Sequence, residues 1–212
     1  MTIATDAPSA TDTLDWVVTD DAQLEALTPE PKGRLREPYR LYRLLADIDD
    51  ILAATDDDRQ RLAQIAPCVR HFLTNCDWLG AHYVPPDPKR GWSVSKLYDE
   101  PDYPLTVQLV AWSPGSVSKI HNHAAWGLVA MIEGEEKNTI WQRDPSPGYP
   151  GRLKKVSDRT FESGEIITFM PEAIHCVEAL SDEPTVSFNL YGKTNYRKRY
   201  RYDVEAHTAA LF

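Results

Sequence analysis

The hydrophobic period of this chain changes near residue 94, and that change narrows the folds open to it. Upstream, Leu41, Leu44, Leu45, Ile48, Ile51 and Leu52 recur at three- and four-residue steps, which predicts one apolar stripe on a helix. Pro38 suits a first helical position. Thr55 with Asp58 resembles a capping box that opens a second helix, whose stripe is Leu62, Ile65, Val69, Phe72 and Leu73. Pro67 falls inside that helix and is expected to kink or break it, and Gly80 suits its stop. Downstream, Leu105, Val107, Leu109 and Ala111 alternate with Thr106, Gln108, Val110 and Trp112, as a strand requires. Ser113-Pro114-Gly115 is turn chemistry. The runs 126–132, 139–142, 165–170 and 185–191 predict further strands, and residues 144–151 predict a loop. Many short strands between turns predict a mainly β barrel or sandwich. A lone helix pair could not bury both its stripes, so the helices are expected to pack on the outside of it.

Residues 1–34 are rich in Thr, Asp, Pro and Ala, and are expected to form a partly disordered arm with a short helix near Asp21–Leu27. Residues 35–212 then make one domain, helical over 35–80 and a β-barrel over 81–205. The formal charge of −9 argues against nucleic-acid and anionic-membrane partners. No apolar run reaches the roughly 18 residues of a membrane span, and the first residues lack a signal-peptide pattern. Cys68, Cys76 and Cys176 have no paired spacing, so a reducing, cytoplasmic setting is expected. A monomer or weak homo-oligomer is the expected state.

The chemistry concentrates at Ile120-His121-Asn122-His123. Histidines at i and i+2 on a strand share a face and can share a metal ion. Gly115 lies six residues before His121 and Gly134 eleven after His123. A second stretch, Gly164-Glu-Ile-Ile-Thr-Phe-Met-Pro-Glu-Ala-Ile-His175, places a histidine eleven residues beyond a glycine. The two stretches resemble the paired motifs of the cupins, whose fold is a double-stranded β-helix, the jelly-roll barrel. The usual glutamate position falls on Gly127, so the expected metal set is His121, His123 and His175 alone. His71, His82 and His207 belong to neither motif. Three neutral imidazoles leave the ion its full charge and suit zinc, iron, copper or nickel. They also leave coordination positions for a bidentate anion and dioxygen together.

The run from Ile120 to Gly134 is similar to the thiol dioxygenases, the cysteine dioxygenase family, and most to a bacterial branch that includes 3-mercaptopropionate dioxygenases. The resemblance covers roughly residues 90–205. It implies an iron(II), Fe(II), centre that adds dioxygen to a small thiol and yields a sulfinic acid. It further implies a serine–histidine–tyrosine strand beside the metal. Ser187 and Tyr191 match that strand, while Asn189 replaces the histidine and cannot relay a proton at neutral pH. No cysteine stands near Trp126-Gly127-Leu128, so the tyrosine cross-link of some animal members is not expected. Cys176 should point away from the metal as a buried structural thiol. The resemblance places a substrate carboxylate against either Lys96 or Arg199, and Trp126, with Tyr98 and Trp112, could wall the pocket. Two other readings keep the metal site: a cupin enzyme acting on a non-thiol small molecule, and a metal-retaining small-molecule sensor without turnover.

Overall fold

The computed structural model describes residues 15–30, 38–76, 78–79 and 82–212. Residues 1–14 and 31–34 of the expected arm and Gly80, the expected helix stop, lie outside the described residues.

The expected helix pair is present. α1 spans Leu41–Ala54 and buries Leu44, Ile48 and Ile51. It opens after Arg40, so Pro38 stands ahead of it rather than in its first turn. α2 spans Asp58–Leu73, and its N-cap is Asp57, whose carboxylate accepts from Gln60 N at 2.9 Å. Thr55 closes α1 instead of capping α2, and its hydroxyl donates to the Gln60 side chain. Of the expected kink or break, the break does not occur: α2 runs unbroken through Pro67. Proline lacks the N–H that would bond the carbonyl four residues back. That carbonyl, on Ala63, accepts from Glu30 N at 2.9 Å instead, so the segment preceding the helices satisfies it.

That segment is not the short helix expected near Asp21–Leu27. It forms β1 (Asp15–Val18) and β2 (Leu24–Ala26), an antiparallel pair. β1 runs parallel to β9 (Ile166–Phe169), with Val17 opposite Thr168. Asp15 is further held by an ion pair to Arg70 of α2. The arm therefore enters the sheet, and the barrel's edge lies well upstream of residue 81.

The remaining strands are β3 (Trp92–Asp99), β4 (Leu105–Trp112), β5 (Ile120–Asn122), β6 (Gly127–Glu133), β7 (Glu135–Arg143), β8 (Leu153–Glu162), β10 (Ile174–Ala179), β11 (Thr185–Gly192), β12 (Tyr200–Asp203) and β13 (Thr208–Leu211). They make a seven-stranded sheet, β2-β1-β9-β6-β11-β4-β3, and a six-stranded sheet, β13-β12-β5-β10-β7-β8. Successive strands from β4 to β11 mostly alternate between the two sheets, which is jelly-roll order. Strand alternation gives the seven-stranded sheet two apolar faces. Val107, Leu109, Phe188 and Leu190 pack under the helices, where Phe72 of α2 meets Phe188 at 5.6 Å between ring centroids. Val129, Met131, Ile167 and Phe169 face the other way and join Ile140 and Phe161 of the second sheet in the interior. Truncating a buried phenylalanine such as Phe188 to alanine typically costs about 3–5 kcal/mol. Among the described residues no helix is long and apolar enough to cross a membrane.

Candidate metal centre

His121 and His175 lie directly opposite each other on the antiparallel strands β5 and β10, and His123 follows the last residue of β5. Gly115 and Gly164, the opening glycines of the two motifs, have φ of +71° and +90°, a region that only glycine enters freely. Ala124 takes φ of +51° directly after His123, and its carbonyl is held by Asn195 N at 3.0 Å. Such a non-glycine residue costs on the order of 1 kcal/mol and is tolerated where its surroundings fix it.

The ligand nitrogens of the three histidines lie within 4.8 Å of one another. Two of the rings have their proton placed by a neighbour. His121 Nδ1–H donates to the Lys119 carbonyl at 2.8 Å, and His175 Nδ1–H donates to Asn138 Oδ1 at 2.8 Å. Each Nε2 is thereby left as a lone pair. His123 Nε2 stands 3.0 Å from His175 Nε2. Two nitrogens about 2.1 Å from one ion at a right angle would stand about 3.0 Å apart, so the pair fits a shared cation. Burial disfavours the charged form of all three rings: His121 is pushed down to about 4, and His123 and His175 well below the ordinary histidine value. Neutral, convergent and oriented imidazoles are what a divalent transition metal requires.

Around them the packing is aromatic. The Tyr191 ring stacks on His123 at 4.5 Å and 26°, and Phe169 packs on His175 at 4.2 Å. A Cβ at Gly127 would lie 2.7 Å from the Tyr191 ring, so the tyrosine takes the space that a side chain there would fill. Ser187, Asn189 and Tyr191 form one chain along β11. Tyr191 OH donates to Asn189 Oδ1 at 2.9 Å, and Asn189 Nδ2 donates to Ser187 Oγ at 2.8 Å. With its proton committed to Asn189, the phenol oxygen is left as an acceptor. Burial raises the Tyr191 pKa, so the group stays a neutral phenol.

The two candidate anchors separate. Lys96 is exposed and ion-paired to Asp99. Arg199 lies just before β12, where the register Arg201–His121 brings the chain alongside the histidines. Its charge depresses the pKa values of His121, His123 and Tyr191. Its Nε is buried without a hydrogen-bond partner, and its guanidinium lies 4.3 Å over the Phe212 ring. Phe212 in turn approaches His121 at 5.8 Å; it directly follows β13 (Thr208–Leu211), a strand beyond the expected end of the barrel at 205. Trp126 is buried. It stands in the helix-facing core, where a Cβ at Gly192 would collide with its indole. Cys176 is half-buried rather than fully buried. His71 packs on Tyr39, His82 on Trp78 and His207 on Tyr149.

Sequence reading missed Asn138 and Glu136 on β7. Asn138 Nδ2 donates to Glu136 Oε1 at 2.9 Å, behind the Asn138–His175 bond. Both are buried, and desolvation raises the Glu136 carboxyl to about 7.

Jelly-roll topology and three inward histidines define a cupin with a site able to hold a metal. A model of the family described as cysteine dioxygenase type I matches residues 43–204. The chain belongs to the cysteine dioxygenase type I family. Among solved structures it is similar to recombinant oxalate oxidase in complex with glycolate (16% identity, 51% of this chain and 54% of that one, TM-score 0.38). It is also similar to KdgF from Halomonas sp. (14%, 51% and 86%, 0.40) and to a Cupin 2 conserved barrel domain protein from Salinispora arenicola CNS-205 (16%, 52% and 87%, 0.37). The match spans about half the length of the oxalate oxidase chain.

Proposed function

We propose that the protein is an iron(II)-dependent dioxygenase that converts a small carboxylate-bearing thiol, of the cysteine or 3-mercaptopropionate type, to its sulfinic acid. The observation that carries this is the pairing of a carboxylate-free three-histidine site with a buried, unpartnered arginine Nε at Arg199. The reaction balances as RSH + O2 → RSO2H, in which the sulfur gives up four electrons and dioxygen takes them.

Iron(II) held by His121, His123 and His175 would supply adjacent positions for thiolate and dioxygen. Around that site the chain's own groups have distinct work. Arg199, flattened against Phe212, offers its guanidinium fork to the substrate carboxylate and sets how far the sulfur reaches. Tyr191 is fixed by Asn189 and Ser187 and can accept a hydrogen bond from a substrate N–H. Phe169 and Tyr191 exclude water from beside the imidazoles, which protects a partly oxidised sulfur from side reactions. The 3-mercaptopropionate branch is favoured by the position of Arg199 in the C-terminal region, beside the histidines at the start of β12, and by the commitment of Lys96 to Asp99.

The test is an oxygen electrode with protein loaded anaerobically with iron(II), then supplied with 3-mercaptopropionate, cysteine or cysteamine. Oxygen uptake with stoichiometric sulfinate from a carboxylate-bearing thiol is expected. Metal binding with no uptake on any of the three refutes the proposal and favours a sensor.

A further inference from the structure

The ligand set has no carboxylate, yet a carboxyl group is buried one hydrogen-bonded residue behind it. Glu136 is 1% exposed. One of its oxygens accepts from Asn138 Nδ2, and the other, Oε2, is buried without a hydrogen-bond partner. The far end of the same amide accepts the Nδ1 proton of His175. Glu136, Asn138 and His175 thus form one column across the neighbouring strands β7 and β10. As a structural element this is poor economy, because a buried acid with an idle oxygen is costlier than an apolar residue of the same size.

The groups facing Glu136 supply no counter-charge. Its cross-strand neighbours are Phe161 on β8 and Ala179 on β10. Arg159, farther along β8, is paired with Glu165 and lies over the Trp16 ring. From β11 in the facing sheet, Tyr191 feels the Glu136 charge but is itself neutral. The charge of Arg199 reaches His121, His123 and Tyr191 but not Glu136, so among the described residues the place left for a compensating positive charge is the space among the three imidazoles.

We propose that Glu136 is a positioning residue for the metal centre: through Asn138 it holds His175 as the Nδ1–H tautomer, and it gives up its proton when a divalent cation occupies the three-histidine site. The negative charge missing from the ligands is then supplied from behind them. An anion at the amide's N–H end polarises its carbonyl toward the imidazole N–H, and this raises the basicity of His175 Nε2. In the metal-free protein the carboxyl keeps its proton below about pH 7. The inference rests on metal occupancy of the site and is independent of thiol oxidation.

Cobalt(II) titrated anaerobically into the metal-free full chain, by calorimetry at pH 6 in buffers of different ionisation enthalpy, counts the protons released. The wild-type protein should release about one proton more than Glu136→Gln and bind cobalt about 10–100-fold more tightly. Equal proton counts with affinities within about twofold overturn the proposal, even where the variant is less stable. Should Glu136→Gln fail to fold, wild-type protein at pH 6 and pH 8.5 decides. Release at pH 6 that disappears at pH 8.5 supports the proposal, and equal release at both overturns it. Wild-type protein that binds no cobalt overturns this inference together with the proposed function, whereas cobalt binding without thiol oxidation by the iron-loaded protein sinks only the latter.

Discussion

The buried acid of β7 makes the stability of the metal-free protein depend on pH in a direction unusual for a carboxylate. A glutamate that gains a salt bridge on folding has a lowered pKa and loses stability in acid. Glu136 is raised from 4.5 to about 7, because burial penalises its charged form more than the Asn138 hydrogen bond favours it. Between those two values the folded chain holds a proton that the unfolded chain has lost. Stability therefore falls as pH rises, since the slope follows protons bound unfolded minus protons bound folded. The contribution is complete below about pH 4.5, declines through the window to about 7, and is flat above it. At about 1.4 kcal/mol per tenfold change in proton affinity, the full window is worth about 3 kcal/mol. For a chain of this size that corresponds to about 6–12 °C in melting temperature. Asp15 is also raised by burial, despite its Arg70 partner, and titrates in the same sense. The informative quantity is therefore the difference between wild type and Glu136→Gln, by urea denaturation in chelator from pH 5 to 8. The wild type should lose about 2–3 kcal/mol relative to the variant across that range. A difference that stays flat refutes the argument that Glu136 is a protonated, desolvated acid in the metal-free fold.

Two further substitutions test the walls of the site. Gly127→Ala places a methyl group 2.7 Å from the Tyr191 ring, which is stacked on His123, so it should cost about 1–3 kcal/mol of stability by denaturant titration; unchanged stability would show that Tyr191 yields freely. Arg199→Lys keeps the charge but loses the fork and the stacking on Phe212. It should raise KM for carboxylate-bearing thiols by about 10–100-fold while leaving cysteamine nearly unaffected, and an equal effect on both would remove Arg199 as the anchor.

What the sequence made legible follows the reach of each physical signal. The alternation at Leu105–Trp112 became β4 at the same bounds because one face packs on helices and the other on the interior. The stripe Leu44, Ile48 and Ile51 became the buried face of α1 for the matching reason at helical period. Local propensity misled at Pro67, since the carbonyl that proline strands is satisfied by Glu30, more than thirty residues away. It misled again at Asp21–Leu27, where pairing of β1 with β9 overrides the local pattern of the segment that follows. β8 went unseen because its sequence reads as a solvated run, with Lys154, Lys155 and Asp158 exposed along it.

The same distinction separates the ligands from the groups behind them. His121 and His123 are two residues apart, and His175 follows a turn glycine at a fixed interval, so local geometry nearly suffices to name them. Glu135-Glu136-Lys137-Asn138 reads as an ordinary polar stretch beside a turn. It becomes part of the site only because β7 pairs with β10 in a register that sets Ile140 against His175 and Asn138 against Val177. A slip of that register by one residue would turn Glu136 and Asn138 to the outer face and Lys137 to the interior. The interior would then hold an ammonium near three imidazoles that must receive a cation. The register is consequently under electrostatic as well as hydrophobic control, with the acid and the amide admitted inside because a positive charge is expected there.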